Sequence, residues 1–309
     1  MEGKLLKQRA MRRWNFKLVW PLHVMLIPGI VLVLIFSYLP MLGLVMAFQD
    51  YKPQLGFLDS EWIGMENFKL MFEYPDARQV IWNTLLIAGI KIVAHLIVPF
   101  VFALLLNEVR KMLFKRFVQT LVYLPHFLSW VILGGILLDM LSTDGGLVNQ
   151  LLAVFGIEPV FFLGDGNWFR LTVIVSDVWK DFGFSTIIFL AALAGVNPEY
   201  YEAALIDGAN RWRQTLSITI PSILPITIVV GILSLGNILN AGFDQIFNLY
   251  NPLVYEKGDI IDTYVYRVGL LGGDFGFGTA VGVFKSLVSF ILIIISYRLA
   301  YKLANYRIF

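Results

Sequence analysis

No cysteine occurs in this chain, so a disulfide framework and a cysteine-ligated metal are both excluded. Histidine is scarce. His23, His95 and His126 stand far apart and form no HExxH or comparable ligand spacing, so each reads as structural. A nucleotide loop is missing too: in GFGTAVGVFKS, Gly276 to Ser286, Phe284 stands before Lys285 where a P-loop requires glycine. Gly278 and Gly282 in that stretch read instead as a close-packing pair on a membrane helix. The basic start, MEGKLLKQRAMRRWNFK, precedes an apolar run with Pro28 and Pro40 inside it. That run is far longer than the 7–15 residues of a signal-peptide core, so an uncleaved span is expected. No cluster of His, Asp, Ser or Cys at catalytic spacing is present, and the chain reads as a non-enzyme.

Apolar residues, by contrast, are abundant. They make up 58% of the 309 residues, with a mean hydropathy of +0.73, where soluble domains hold about 45–50%. A helix needs about 20 apolar residues to cross a bilayer. Six stretches qualify: 20–48, 80–107, 117–141, 171–195, 222–243 and 279–303. The fold class is therefore an all-α polytopic membrane protein with six transmembrane helices. With the N-terminus inside, fifteen Lys and Arg fall on the inner side, and six in the loops 49–79, 142–170 and 244–278. Lys91, Lys180 and Lys285 lie within spans. This bias places both termini in the cytoplasm, with residues 1–19 as a basic cytoplasmic segment and 20–309 as one transmembrane domain.

Between two apolar spans lies EYYEAALIDGANRWRQTLSITIP, residues 199–221. The charge pattern puts it, as part of the loop 196–221, on the inner side. Ala203 and Ala204 favour helix and let another surface approach closely. Glu199 and Glu202 suit the positive end of a short helix, and Gly208 ends or bends it.

The spacing of Glu202, Ala203, Ala204, Gly208, Ile218 and Pro221 fits EAA-x3-G-x9-I-x-[LI]-P. It resembles the cytoplasmic signature of ABC-importer permease subunits, with Ile220 where leucine is usual. YLPHFLSWVIL, VWKDFGFSTIIFLAALAGVNPEYYEAALIDGA, GFDQIFNLYNPLVY and GTAVGVFKS resemble the LplB-type branch of carbohydrate permeases, related to the maltodextrin permease, over nearly the whole chain. The resemblance implies a type I ABC importer permease fold in a bacterial plasma membrane. It implies a coupling helix carrying Glu202, Ala203, Ala204, Asp207, Gly208, Ile218 and Pro221 that docks on a cytoplasmic ATPase dimer. It further implies a second, homologous permease, usually a different polypeptide, an extracytoplasmic solute-binding lipoprotein, and an oligosaccharide substrate. ATP and Mg would be held by the ATPase, with no cofactor on this chain, and nothing points to nucleic acid.

The fourth span carries Asp177, Lys180 and Asp181. A charge at the bilayer centre costs about 2.5–3.5 kcal/mol, and each Leu, Ile, Phe or Val returns only about 0.3–0.6. These side chains should therefore face a bundle interior or a wet cavity. Asp177, Asp181 and Phe184 share one helical face, with Lys180 at its border. In the fifth span Asn237, Asn240 and Asp244 form a stripe at similar depth. By resemblance, the sugar-contacting positions of the maltodextrin permease fall on Asp177, Lys180, Asp181, Phe184, Asn237 and Asn240, although acids and a lysine replace its Asn, Gly and Leu in span four. Two alternatives stand beside cavity lining: an internal ion network that locks helix packing, and an ion-coupled secondary transporter using these charges. Lys285, and Lys91 with His95, read as interhelical polar contacts.

Overall fold

A computed structural model describes residues 16–304. Most of the basic segment 1–19, and Arg307, lie outside the described residues. Helix α1 (Phe16–Val33) runs on through a π turn (Leu34–Tyr38) and a 3-10 stretch (Leu39–Phe48) with Pro40 as its second residue. Proline lacks an N–H and cannot continue an α-ladder, and the chain there takes the tighter 3-10 winding. Only 6% of the apolar window of this first span is buried inside the chain. Beyond it, Gln49–Asp50 pairs antiparallel with Glu61–Trp62. Asn67, on α2 (Glu66–Glu73), donates to the carbonyls of Ala47 and Gln49, both at 3.1 Å. Helix α3 (Pro75–Glu108) follows.

The expected third span, 117–141, is not one helix. Helix α4 (Met112–Tyr123) and α5 (Trp130–Met140) meet at 101°. Pro125 sits in a short 3-10 turn between them, and Leu128 and Ser129 are extended, with ψ of 138° and 153°. Ser129 then restarts the helix, its hydroxyl accepting from the Ile132 N–H at 3.4 Å.

Helix α6 (Gly166–Ala194) has 29 residues, about 43 Å of helix. The Asp165 carboxylate accepts from the backbone N–H groups of Trp168 and Asn167 at its N-terminus. These bonds, Trp168 first, hold the Asp165 carboxyl below the ordinary carboxylate range. At 66° to α6 lies the short α7 (Pro198–Ile206). The fifth span also departs from expectation. Helix runs from Arg211 through a π turn (Thr215–Thr219) into α8 (Ile220–Leu235), but stops before Asn237. Residues 236–242 are turn and coil, and Gly242, at φ +99°, leads into α9 (Phe243–Leu249). Asn237, Asn240 and Asp244 therefore do not form a helical stripe. The chain ends in α10 (Phe275–Ala304). Four described helices are long and apolar enough to span a membrane alone, and two bent pairs bring the number to six.

The core centres on α3 and α6. Ile87 and Ala88 pack with Phe169, Val173, Ala241 and Ile246. An outer cluster joins Met71, Val80, Tyr264 and Phe277, and an inner one Ala103, Phe189, Leu193 and Ile223. Helix α6 passes α4 at Gly183, where a Cβ would stand 2.1 Å from the Val122 carbonyl. The Gly278–Gly282 pair splits: a Cβ on Gly278 would lie 2.8 Å from Gly269 Cα, whereas Gly282 has nothing within 4 Å. Lys285 reaches Asp262 at 2.5 Å.

Candidate functional site

Two places gather the residues singled out above. The first lies in the loop 196–221, between the fourth and fifth spans. Asn197 starts α7, its side chain accepting from the Glu199 N–H at 3.0 Å, with Pro198 in the first helical position. Gly208, at φ +76°, ends it. The Ala209 N–H donates to the Ala204 carbonyl at 2.8 Å, and the Gly208 N–H to the Leu205 carbonyl at 3.1 Å. This is a Schellman closure, which requires a left-handed residue where Gly208 stands. Asn210 then caps the next helical turn, accepting from the Arg213 N–H at 2.9 Å.

The reversal folds the two ends of the motif together. Ala203, Ala204, Asp207, Ile218 and Pro221 line one groove of about 520 Å³, with Tyr200, Ser217 and Ser222. Glu202 is exposed and outside the groove, and Gly208 shapes the turn without lining it. Around it Leu205, Ile206 and Trp212 are 64%, 88% and 71% exposed. Two ties brace the unit: Tyr201 to Thr219 at 3.0 Å between hydroxyls, and Arg211 to Glu108 at 2.7 Å.

The second place is within the membrane-spanning bundle. Asp177 of α6, Asn237 and Asn240 line one cavity of about 270 Å³ with Lys91 and His95 of α3 and the backbone at Ala241 and Gly242. Lys91 Nζ lies 3.2 Å from Asp177 Oδ1 and donates to the Ala241 carbonyl at 2.8 Å and Gln245 Oε1 at 2.5 Å. His95 Nε2 lies 2.8 Å from Asp177 Oδ2. Gly242 is demanded by its positive φ, and a Cβ there would also stand 3.1 Å from Lys91 Nζ. Gln245 is fully buried and donates to the Val173 carbonyl and Ser176 Oγ. Asn237 and Asn240 are exposed to the cavity and share only a 3.5 Å contact between side chains. Their amides retain donors and acceptors for a ligand.

Lys180, Asp181 and Phe184 do not line this cavity. They meet the break between α4 and α5. Lys180 donates to the His126 carbonyl at 2.8 Å and stands 3.5 Å from Asp181. His126 Nδ1 lies 2.8 Å from Asp181 Oδ1, and the His126 ring stacks on Phe184 at 4.1 Å and 3°. The break explains the pairing: outside a continuous helix, the His126 carbonyl is open to a side-chain donor. The six positions thus divide between two polar clusters, both built against α6. Cavity lining and ion pairing both hold for Asp177. Lys91, His95 and His126 belong to these clusters, and sequence gave no sign of it beyond the pairing of Lys91 with His95 at i, i+4.

An all-α bundle with a polar cavity between spans and a capped groove beside them fits a transport subunit, and the chain is a permease subunit of an ABC importer. It belongs to the family described as binding-protein-dependent transport system inner membrane components, matched over residues 95–307. It is 44% identical to the polygalacturonan/rhamnogalacturonan transport system permease protein YteP of Bacillus subtilis (strain 168), covering 100% of this chain and 97% of that protein. Protein LplB of the same organism is 46% identical, over 88% of this chain and 86% of its own. A crystal structure of a bacterial ABC transporter involved in the import of the acidic polysaccharide alginate contains a chain with a TM-score of 0.86 and 39% identity, covering 95% of this chain and 99% of that one. The related complex contains an alginate pentasaccharide-bound periplasmic protein; its similar chain has a TM-score of 0.86 and 38% identity, covering 96% of this chain and 99% of that one. Family membership gives the ion-coupled alternative no support.

Proposed function

We propose that this permease carries an acidic, uronate-containing oligosaccharide, and that the Lys91–His95–Asp177–Asn237–Asn240 cavity lies on its path. One observation carries the reading: a cavity among apolar helices holds two asparagine amides with free hydrogen-bonding capacity, beside Lys91 and His95 paired to Asp177. Amides suit sugar hydroxyls, while the N–H donors of Lys91 are taken by Asp177, Ala241 and Gln245, so the acidic character of the cargo rests on the similar proteins. The proteins of similar sequence and structure whose names state a cargo include carriers of polygalacturonan/rhamnogalacturonan and alginate, which accords with an acidic sugar. The groove of α7 docks a cytoplasmic ATPase dimer, which binds ATP and Mg; this chain holds no cofactor. A second, homologous permease completes the pore, an external lipoprotein delivers the sugar, and both termini face the cytoplasm.

The test is ATP hydrolysis by the complete importer in vesicles. The binding protein loaded with an oligogalacturonide should stimulate it, and a neutral maltooligosaccharide of equal length should not. Stimulation by the neutral sugar alone overturns the acidic assignment, and stimulation by neither overturns a sugar of these two kinds as cargo.

A further inference from the structure

The segment joining α3 to α4 has no part in the cavity or the groove. It reads ArgLysMetLeuPheLysArg from Arg110 to Arg116. Arg110, Lys111 and Arg116 are exposed and Lys115 half-buried, and among the described residues no ion pair engages any of the four. The one neighbouring acid, Glu108, is occupied by Arg211 at 2.7 Å. Between the cations stand apolar side chains with little cover: Leu113 is 83%, Phe114 55% and Phe117 65% exposed.

Depth follows from helix length. Glu108 lies 17 residues beyond Lys91 on α3, about 26 Å along the axis. Lys91 sits among the polar groups of the bundle interior. A hydrocarbon half-thickness is about 15 Å, so Glu108 and the cations after it reach the headgroup layer. Helix α4 has 12 residues, about 18 Å, too short to cross before its 101° bend. It begins at the interface with cations and apolar rings side by side.

We propose that Arg110, Lys111, Lys115 and Arg116, with Leu113, Phe114 and Phe117, form a docking surface for the phosphate headgroups of anionic phospholipids. The cations meet the phosphates and the rings enter the adjoining acyl layer, as in basic juxtamembrane segments. An acidic protein surface would satisfy the cations but would leave Leu113 and its neighbours without the apolar contact that a lipid supplies.

The experiment uses the full chain in neutral detergent, with phosphatidylglycerol and phosphatidylcholine in competition, and bound lipid read by native mass spectrometry. The wild-type chain should favour phosphatidylglycerol, and raising the salt should erase the preference. Each neutralised cation should reduce it about fivefold, so the Lys111→Gln/Lys115→Gln pair should lose about 30-fold. The Lys111→Arg/Lys115→Arg pair should keep it. A wild-type chain without preference, or a preference indifferent to salt, overturns the proposal without recourse to any variant. So does a glutamine pair that retains the wild-type preference, and so does protection of these lysines from amine labelling by the ATPase but not by phosphatidylglycerol.

Discussion

Replacing Gly208 tests the coupling unit at its most sensitive bond. Gly208 sits at φ +76°, and a Cβ built there meets nothing within 4 Å. A methyl group is therefore accommodated, and for alanine only backbone strain remains. A left-handed L-residue costs roughly 1–2 kcal/mol, with asparagine the best tolerated. At about 1.4 kcal/mol per tenfold, Gly208→Ala should lower the population of correctly closed α7 by about 5- to 30-fold, and Gly208→Asn by less. Gly208→Pro is worse on two counts. Its φ is fixed near −65°, and it removes the N–H that donates to the Leu205 carbonyl at 3.1 Å. The assay is binding-protein-stimulated ATP hydrolysis by the reconstituted importer, with membrane insertion checked separately. Stimulation should fall in the order Gly, Asn, Ala, Pro. Wild-type stimulation in the alanine and proline variants would refute the reasoning, as would asparagine proving worse than alanine, since that order would follow bulk.

Three further outcomes are expected. Asn237→Leu/Asn240→Leu removes hydrogen bonds worth about 0.5–1.5 kcal/mol each, so vesicle uptake should weaken roughly 5- to 150-fold while the ATPase still co-purifies; unchanged uptake takes both residues off the path. Single cysteines replacing the exposed Asp59 and Asn210 should label from opposite sides of the membrane with an impermeant thiol reagent, and labelling at Asn210 from outside as readily as at Asp59 overturns the topology. The depressed carboxyl of Asp165 contributes stability above the ordinary carboxylate value of about 3.9 that is lost as pH falls through its lower folded value. Amide exchange at Asn167 and Trp168 should rise on acidification in that range, and Asp165→Asn should remove the dependence.

The α7 unit was legible in sequence because its determinants are local. Gly208 supplies a left-handed turn, Ala203 and Ala204 favour helix, and the spacing to Ile218 and Pro221 needs only one reversal to bring the ends together. The break at Leu128 was not legible. Pro125 lies within an apolar run, and membrane helices often absorb a proline. The exposed His126 carbonyl is met by Lys180, 54 residues away, and α4 is held by the close approach at Gly183. Both are tertiary facts. Asn237 and Asn240 reached the cavity expected of them by a different route: α8 had already ended, and a turn, with a 2.8 Å bond from the Asn240 N–H to the Asn237 carbonyl, sets their positions. Lys91 was visible as a charge in a span, but its partners lie far along the chain.

That distance carries a consequence for biogenesis. Lys91 is joined to Ala241 and Gln245 across 150 and 154 residues, and His95 to Asp177 across 82. A ribosome adding about 5–20 residues per second needs roughly 8–30 s to synthesise the farther partners. Until Asp177 of α6 is made, 86 residues after Lys91 and roughly 4–17 s later, α3 holds an ammonium without its carboxylate partner, whose cost at the bilayer centre is about 2.5–3.5 kcal/mol. The nascent span must keep Lys91 near water, or beside the insertion machinery, until α6 arrives. Loss of Asp177 would therefore lengthen the wait and expose the half-made chain to membrane proteases, lowering the yield of subunit before any effect on transport could be measured.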